Sequence, residues 1–195
     1  MSEVFLSCVV GSKHSYEQKM GDPGWDSIPA VPDDIAKQKT SMWIVVRNKT
    51  MFKLTPVHPP HWDGAAYQNG PVELEPYTTK GIGIKDDSMF GTFGGICYHA
   101  ALDASNVYKF SVGFGNPLVG PVLGYVEESE DPKGACDRRR IADSAVESLT
   151  PYVARDKNGA EVVWKFHLYF TPGKTGSNKT QVLTISQVMT ELADK

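Results

Sequence analysis

The residues of this chain best able to do chemistry are scattered, and each grouping falls short of a motif. Gly173-Lys174-Thr175-Gly176-Ser177 has the composition of a phosphate loop, which cradles phosphates with backbone N–H groups. That loop needs a glycine five residues before its Gly-Lys pair, and Leu168 stands there. His58 and His61 are three apart, a spacing that serves a metal on a suitable turn, but only Asp63 is at hand as a third ligand. No Gly-x-Ser-x-Gly elbow presents a serine nucleophile. Glu73, Glu75 and the cluster Glu127, Glu128 and Glu130 read as solvated faces, without the burial that sets one carboxyl apart as an acid and another as a base. What remains is a set of aromatics beside glycines: Trp62 and Tyr67 in HWDGAAYQNG, Phe90 and Phe93 in MFGTFGG, and Phe114 in GFGNP. Aromatic loops at one end of a β-sandwich can meet a membrane surface or the face of a sugar. Trp62, Tyr67, Phe93 and Phe114 are therefore the candidate contact residues, against the competing reading that Phe93 and Phe114 fill the core.

The elements that must position them are mostly strands. From Met42 to Val126, short runs rich in Val, Ile, Tyr and Phe alternate with Gly, Pro, Asn and Asp, which predicts an antiparallel β-sandwich. Met42 to Asn48 is nearly continuous in apolar residues, as a central strand covered on both faces would be. Tyr108, Phe110, Val112 and Phe114 share one face of a strand with Lys109 and Ser111 on the other. Val162 to Phe170 alternates likewise and should pair antiparallel with Gln181 to Val188, burying Trp164, Phe166 and Leu168. One helix is expected at about 137–149, with Asp137 as N-cap and a stripe of Ile141, Ala142, Ala145, Val146 and Leu149. Arg138, Arg139 and Arg140 would then occupy its first turn, where the helix dipole disfavours cations, so an anion contact competes with a plain solvated patch. Residues 1–40 form an N-terminal arm, broken by Gly21, Pro23, Gly24, Pro29 and Pro32, pinned by Trp25 and Ile28, with a turn or two of helix after Pro32. The whole, 1–195, reads as a single domain with the sandwich at 41–195.

Composition narrows the class of function. With 41% apolar and 22% charged residues the chain can bury one substantial core, and a net charge of -3 supplies no global field for nucleic acid. Cys8, Cys97 and Cys136 are odd in number and widely spaced, so they read as reduced thiols rather than disulfides or a zinc site. The N-terminus lacks the charged and apolar regions of a secretory signal, and no apolar run approaches the ~20 residues of a membrane span. The expectation is a soluble protein, cytoplasmic or released by a non-classical route.

The segments IVVRNKT, GTFGGICYHA, YKFSVGFGNP and the tail from ADSAVESLTPY to TISQV resemble, over about residues 42–188, the actinoporin-like cytolysins and the fungal fruit-body lectins. The matching places are Asn48, Gly91 to Gly94, Phe110-Ser111-Val112 and Leu149-Thr150-Pro151, with the turn in ARDKNGAEVVWKF matching the lectins. The resemblance implies an actinoporin-like sandwich and a membrane surface or lipid headgroup as ligand, with a toxin-like or defence role and homo-oligomers on membranes. At the family's headgroup site Ser111 and Phe93 are kept, while Leu118, Val119, Ala142 and Val146 stand where the family has aromatics. The breaks at residues 21–32 leave no room for the family's long amphipathic helix, which predicts poor lysis. Sequence thus points to a non-enzymatic binding protein that needs no metal or cofactor. Its contact set is Trp62, Tyr67, Phe93, Ser111 and Phe114; a carbohydrate-binding lectin and a protein-interaction module are the alternatives.

Overall fold

A computed structural model describes residues 2–22, 24–38, 41–63, 66–85, 91–140, 144–172 and 180–190, with the side chains of 58, 66–69, 172 and 190 outside the description. In chain order the elements are β1 (Val4–Val10), α1 (Lys13–Met20), α2 (Asp33–Ala36), β2 (Met42–Lys49), β3 (Leu54–Asp63), β4 (Ala66–Asn69), β5 (Thr78–Lys85), β6 (Gly91–Ala101), β7 (Val107–Pro117), β8 (Leu123–Glu127), α3 (Pro132–Asp137), β9 (Ser144–Glu147), β10 (Tyr152–Asp156), β11 (Glu161–Pro172) and β12 (Thr180–Thr190). The larger sheet runs β1-β10-β11-β12-β2-β5-β4, with β9 added beside β11, and the smaller runs β3-β6-β7-β8. The chain is mainly β and packs as a sandwich.

Alternation along the strands decides which side chains meet between the sheets. Met42, Ile44, Val46, Ile82 and Ile84 of the larger sheet share one core with Ile96, Tyr98, Phe110, Val112 and Phe114 of the smaller. The hairpin of β11 and β12 is antiparallel with Lys165 opposite Val188 and Phe170 opposite Leu183, and it buries Trp164, Phe166 and Leu168. Sequence alternation assigns faces but not neighbours, and here the structure departs from an all-antiparallel expectation. β1 runs parallel to β10, and β12 runs parallel to β2 with Val182 opposite Val45. Both pairs join segments far apart in the chain, where no tight turn dictates direction.

Each outer face is covered by a different means. Over the larger sheet, Ile28, Val31 and Ile35 pack on Trp43, Val45 and Val182, which is why the run at β2 is apolar on both of its faces. The Trp43 indole N–H donates to the Pro29 carbonyl at 3.2 Å, and Gly81 leaves room for that ring, since a Cβ there would lie 1.8 Å from it. The arm is thus more regular than its Gly and Pro content suggests. Its first strand joins the larger sheet, and α1 is anchored by Tyr16, whose hydroxyl donates to the Lys49 carbonyl (2.9 Å) and accepts from the Gln187 N–H (3.1 Å). Trp25 lies against the Lys49 ammonium at 5.0 Å, and α2 follows Pro32 with Asp33 and Asp34 in its first turn.

Over the smaller sheet lies α3, and here the expected helix at 137–149 is corrected. The helix comes earlier, with Asp131 as N-cap accepting from the Gly134 N–H and Pro132 in its first turn. Residues 141–143 lie outside the described residues, and Ser144–Glu147 is the strand β9, paired with His167 to Phe170 of β11. The 3.6-residue spacing was overridden by tertiary pairing, and Leu149, a member of the supposed stripe, is 74% exposed. Arg138 is the C-cap of α3, so the arginine run follows the helix end that favours cations. Pro132 and Ala135 reach the sheet over Gly95 and Gly113, where a Cβ would come within 1.9 Å and 2.0 Å of their carbonyl oxygens.

Candidate functional site

Of the expected contact residues, Trp62, Phe93 and Phe114 lie toward the Gly91–Pro117 end of the β3-β6-β7 ladder without sharing a face, while Ser111 lies nearer the middle of β7, opposite Cys97. Trp62 of β3 lies opposite Gly94 of β6, and Gly94 lies opposite Phe114 of β7, so all three positions point inward. The Trp62 and Phe114 rings meet there at 6.2 Å across the space that Gly94 leaves open. Phe114 is fully buried, which makes it a core residue, and Trp62 is partly buried against the same core. Phe93, one residue earlier, faces outward opposite Gly115, with the Arg139 guanidinium 4.3 Å from its ring centroid. Ser111 also faces outward but is fully buried, its hydroxyl donating to the Ser129 carbonyl at 3.0 Å, so it serves the fold at this spot. Tyr67 is paired through its backbone with Ile84, and its side chain lies outside the described residues.

The same end holds a feature that aromatic counting passed over. Between β7 and β8 the chain turns through Leu118, Val119, Gly120 and Pro121, with Gly120 at φ 114. Leu118 is 53% and Val119 is 87% exposed. The turn is held by its flanks: the Asn116 side-chain amide donates to the Ser41 carbonyl at 3.0 Å, and the Gln181 amide donates to the Leu123 carbonyl at 2.6 Å. Both bonds tie this turn to the larger sheet. The signal in the sequence was Asn116-Pro117-Leu118-Val119-Gly120-Pro121, two apolar residues inside a Pro- and Gly-bounded turn with no polar replacement at its tip.

Basic groups stand beside it. Arg140 pairs through its backbone with Gly124 of β8, the residue opposite Phe114, and its side chain is exposed. Arg139 donates to the Cys136 carbonyl and, at 3.2 Å, to the Cys136 Sγ. Burial pushes the Cys136 thiol up, and the Arg139 charge opposes that rise, so this sulfur stays a protonated thiol at neutral pH. Arg138 is spoken for by Glu127. The end of the sandwich therefore presents an apolar tip on a firmly tied turn, with two arginines beside it that have no carboxylate partner among the described residues. That arrangement suits an interface having both an apolar and an anionic layer. Among the described residues no group of three or more His, Cys, Asp or Glu side chains is placed to hold a metal, and no helix is long and apolar enough to cross a membrane.

No protein-family model matches the chain, and no curated protein matches it either. Among solved structures the chain is similar to the lipid binding protein Nakanori, at 14% sequence identity and a TM-score of 0.46, over 76% of this chain and 70% of that one. It is also similar to the RahU protein in complex with a TRIS molecule, at 9% identity and a TM-score of 0.38, over 77% of this chain and 98% of that one.

Proposed function

We propose that this chain is a non-enzymatic binding protein that meets a membrane surface with the β7–β8 end of its sandwich, in the toxin-like or defence role that the sequence resemblance implies. The observation that carries the reading is the tip Leu118-Val119, exposed on a turn whose flanks are hydrogen-bonded to the opposite sheet. An isolated exposed apolar residue is ordinary; two adjacent ones at a rigid tip, with arginines beside them, have a use at a lipid interface. Burying what Leu118 and Val119 still expose is worth about 2 to 4 kcal/mol, and each basic residue near an anionic leaflet adds ~1 kcal/mol. With Arg139 and Arg140 the sum is about 4 to 6 kcal/mol, short of the ~8 kcal/mol of micromolar binding. One copy would therefore hold a membrane weakly. Tight binding needs several copies acting together, which is the place for homo-oligomers on the membrane.

Co-sedimentation with vesicles of phosphatidylcholine, with and without phosphatidylserine, tests this. The expected result is binding that strengthens with phosphatidylserine, and in Val119→Asp falls by about tenfold or more while the circular dichroism stays that of the wild type. Equal binding by wild type and variant would remove the tip from the site. The lectin alternative is favoured by one observation: a hollow of about 330 Å³ with a mixed polar and aromatic lining at the other end of β7, formed by Tyr108, Lys109, Glu128, Thr150 and Tyr152. Binding to immobilised glycans that survives Val119→Asp would support that alternative over the membrane reading.

A further inference from the structure

At the end of the sandwich away from the Leu118-Val119 tip, α1 stands off from the sheets and leaves a cleft of about 1010 Å³. β6 and β7 pair along their whole length, so Leu102 at this end is about 30 Å from the tip at the rise of an extended strand. The floor is apolar, formed by Val10, Met51, Phe52 and Leu102. Among the described residues, charge lines the cleft only on α1 and just beyond it, at Lys19 and Asp22, both exposed. Lys19 has no carboxylate partner among the described residues. A cleft of this size with an apolar floor and a few polar groups has the form of a small-molecule site.

A second observation at the same place is independent of the volume. Tyr77, which lines the cleft, has φ 56 and is the only non-glycine residue with positive φ among the described residues. An aromatic residue in that region of backbone space is strained, and such strain concentrates at ligand clamps. Its ring lies 6.3 Å from that of Tyr16, and no hydrogen bond of its hydroxyl occurs among the described residues. Burial, then the neighbouring Tyr16, pushes the Tyr77 phenol up to about 12, and burial raises the Cys8 thiol that also lines the cleft. Both groups are neutral near pH 7, so the interior offers uncharged donors over an apolar floor.

We propose that this cleft binds one molecule of a small amphiphile, uncharged or zwitterionic, with its apolar body on Met51 and Phe52 and its polar head between Lys19 and Asp22. The opposite signs of those two residues disfavour a head carrying a net charge of either sign. The site is separate from the membrane-facing tip, and either can fail without the other.

Displacement of Nile red by decyl glucoside, a decyl sulfobetaine, decanoate and decylammonium, each below its micelle concentration, provides the test. The glucoside and the sulfobetaine should bind saturably at one molecule per chain, with the two charged probes about tenfold or more weaker. Gln18→Trp, an exposed position on α1 whose new bulk reaches the cleft, should weaken binding by about tenfold or more. Tyr77→Asn should do the same while keeping the fold, because Asn tolerates the left-handed conformation and lacks the ring. Absence of saturable binding by the wild type up to about 1 mM would overturn the site. So would affinities unchanged in both variants, and a preference for either charged probe would overturn the assigned head.

Discussion

The two sheets of this sandwich solve one problem in opposite ways. The larger sheet covers its outer face around β2 with side chains, Ile28, Val31 and Ile35 being set into Trp43, Val45 and Val182. The smaller one hides its outer face under backbone, with α3 lying on a floor where Gly95 and Gly113 have no side chain to hold it off. Side-chain cover can relax when one member shrinks, whereas a carbonyl resting on a glycine has nowhere to go. The smaller sheet should therefore be the less tolerant of small changes.

The sharpest way to break this contrast is Gly113→Val, whose Cβ would sit 2.0 Å from the Ala135 carbonyl oxygen. A cost of at least ~3 kcal/mol is expected, which for a chain of this size lowers the melting temperature by roughly 6 to 12 °C. A melt that hardly moves would mean that α3 shifts freely on the sheet. On the other side, Ile35→Ala removes a fully buried side chain from the thin layer over β2, and about 2 kcal/mol is expected because the covering loop can settle inward. If this change costs more than Gly113→Val, the contrast is reversed.

The smallest effect concerns charge at the edge of the smaller sheet. Glu130 takes the Lys109 ammonium at 2.7 Å and the His99 Nε2 at 2.7 Å, and the hydrogen bond from Lys109, followed by that from His99, lowers its pKa below the ordinary 4.5. A carboxylate whose folded pKa is lowered contributes stability above its ordinary value and loses that contribution as the pH falls through the lowered one. Glu130→Gln should therefore lower the melting temperature slightly at pH 7, and the gap from the wild type should shrink as the pH falls below the ordinary 4.5 and vanish below the lowered value. A gap that persists in acid would show that the residue acts through packing instead.

How much of this could be read from the residues depends on what kind of information each region carries. The run at Met42 to Val46 states its own burial, because five apolar residues in succession need cover on both faces, and the alternation at Val107 to Phe114 names its core face directly. The contact residues were harder, because inside and outside differ by a single position. Phe93 is outward and Gly94 inward only through the register with Gly115 and Phe114, which no composition discloses. Trp62 and Phe114 consequently pack toward the core, while Phe93 meets Arg139 on the far side. The helix over 137–149 misled because its apolar spacing coincided with a short strand, while Asp131-Pro132, the true start signal, lay a few residues upstream. The glycines under α3 look like strand-weakening residues until the helix they receive is in view.

The parallel pairing of β2 with β12 also sets an order of events. β12 comes last in chain order among the described strands, yet it sits inside the larger sheet, between β11 and β2. Every residue from Val45 to Val182 must be synthesised before those two can pair, so a long loop closure, second in span to that of β1 with β10, comes at the end of the fold. Until then a nascent chain carries an open, strongly apolar strand at Met42 to Val46 with one hydrogen-bonding edge unfilled. On the ribosome, β2 needs shelter from other chains, and the arrival of β12 supplies it.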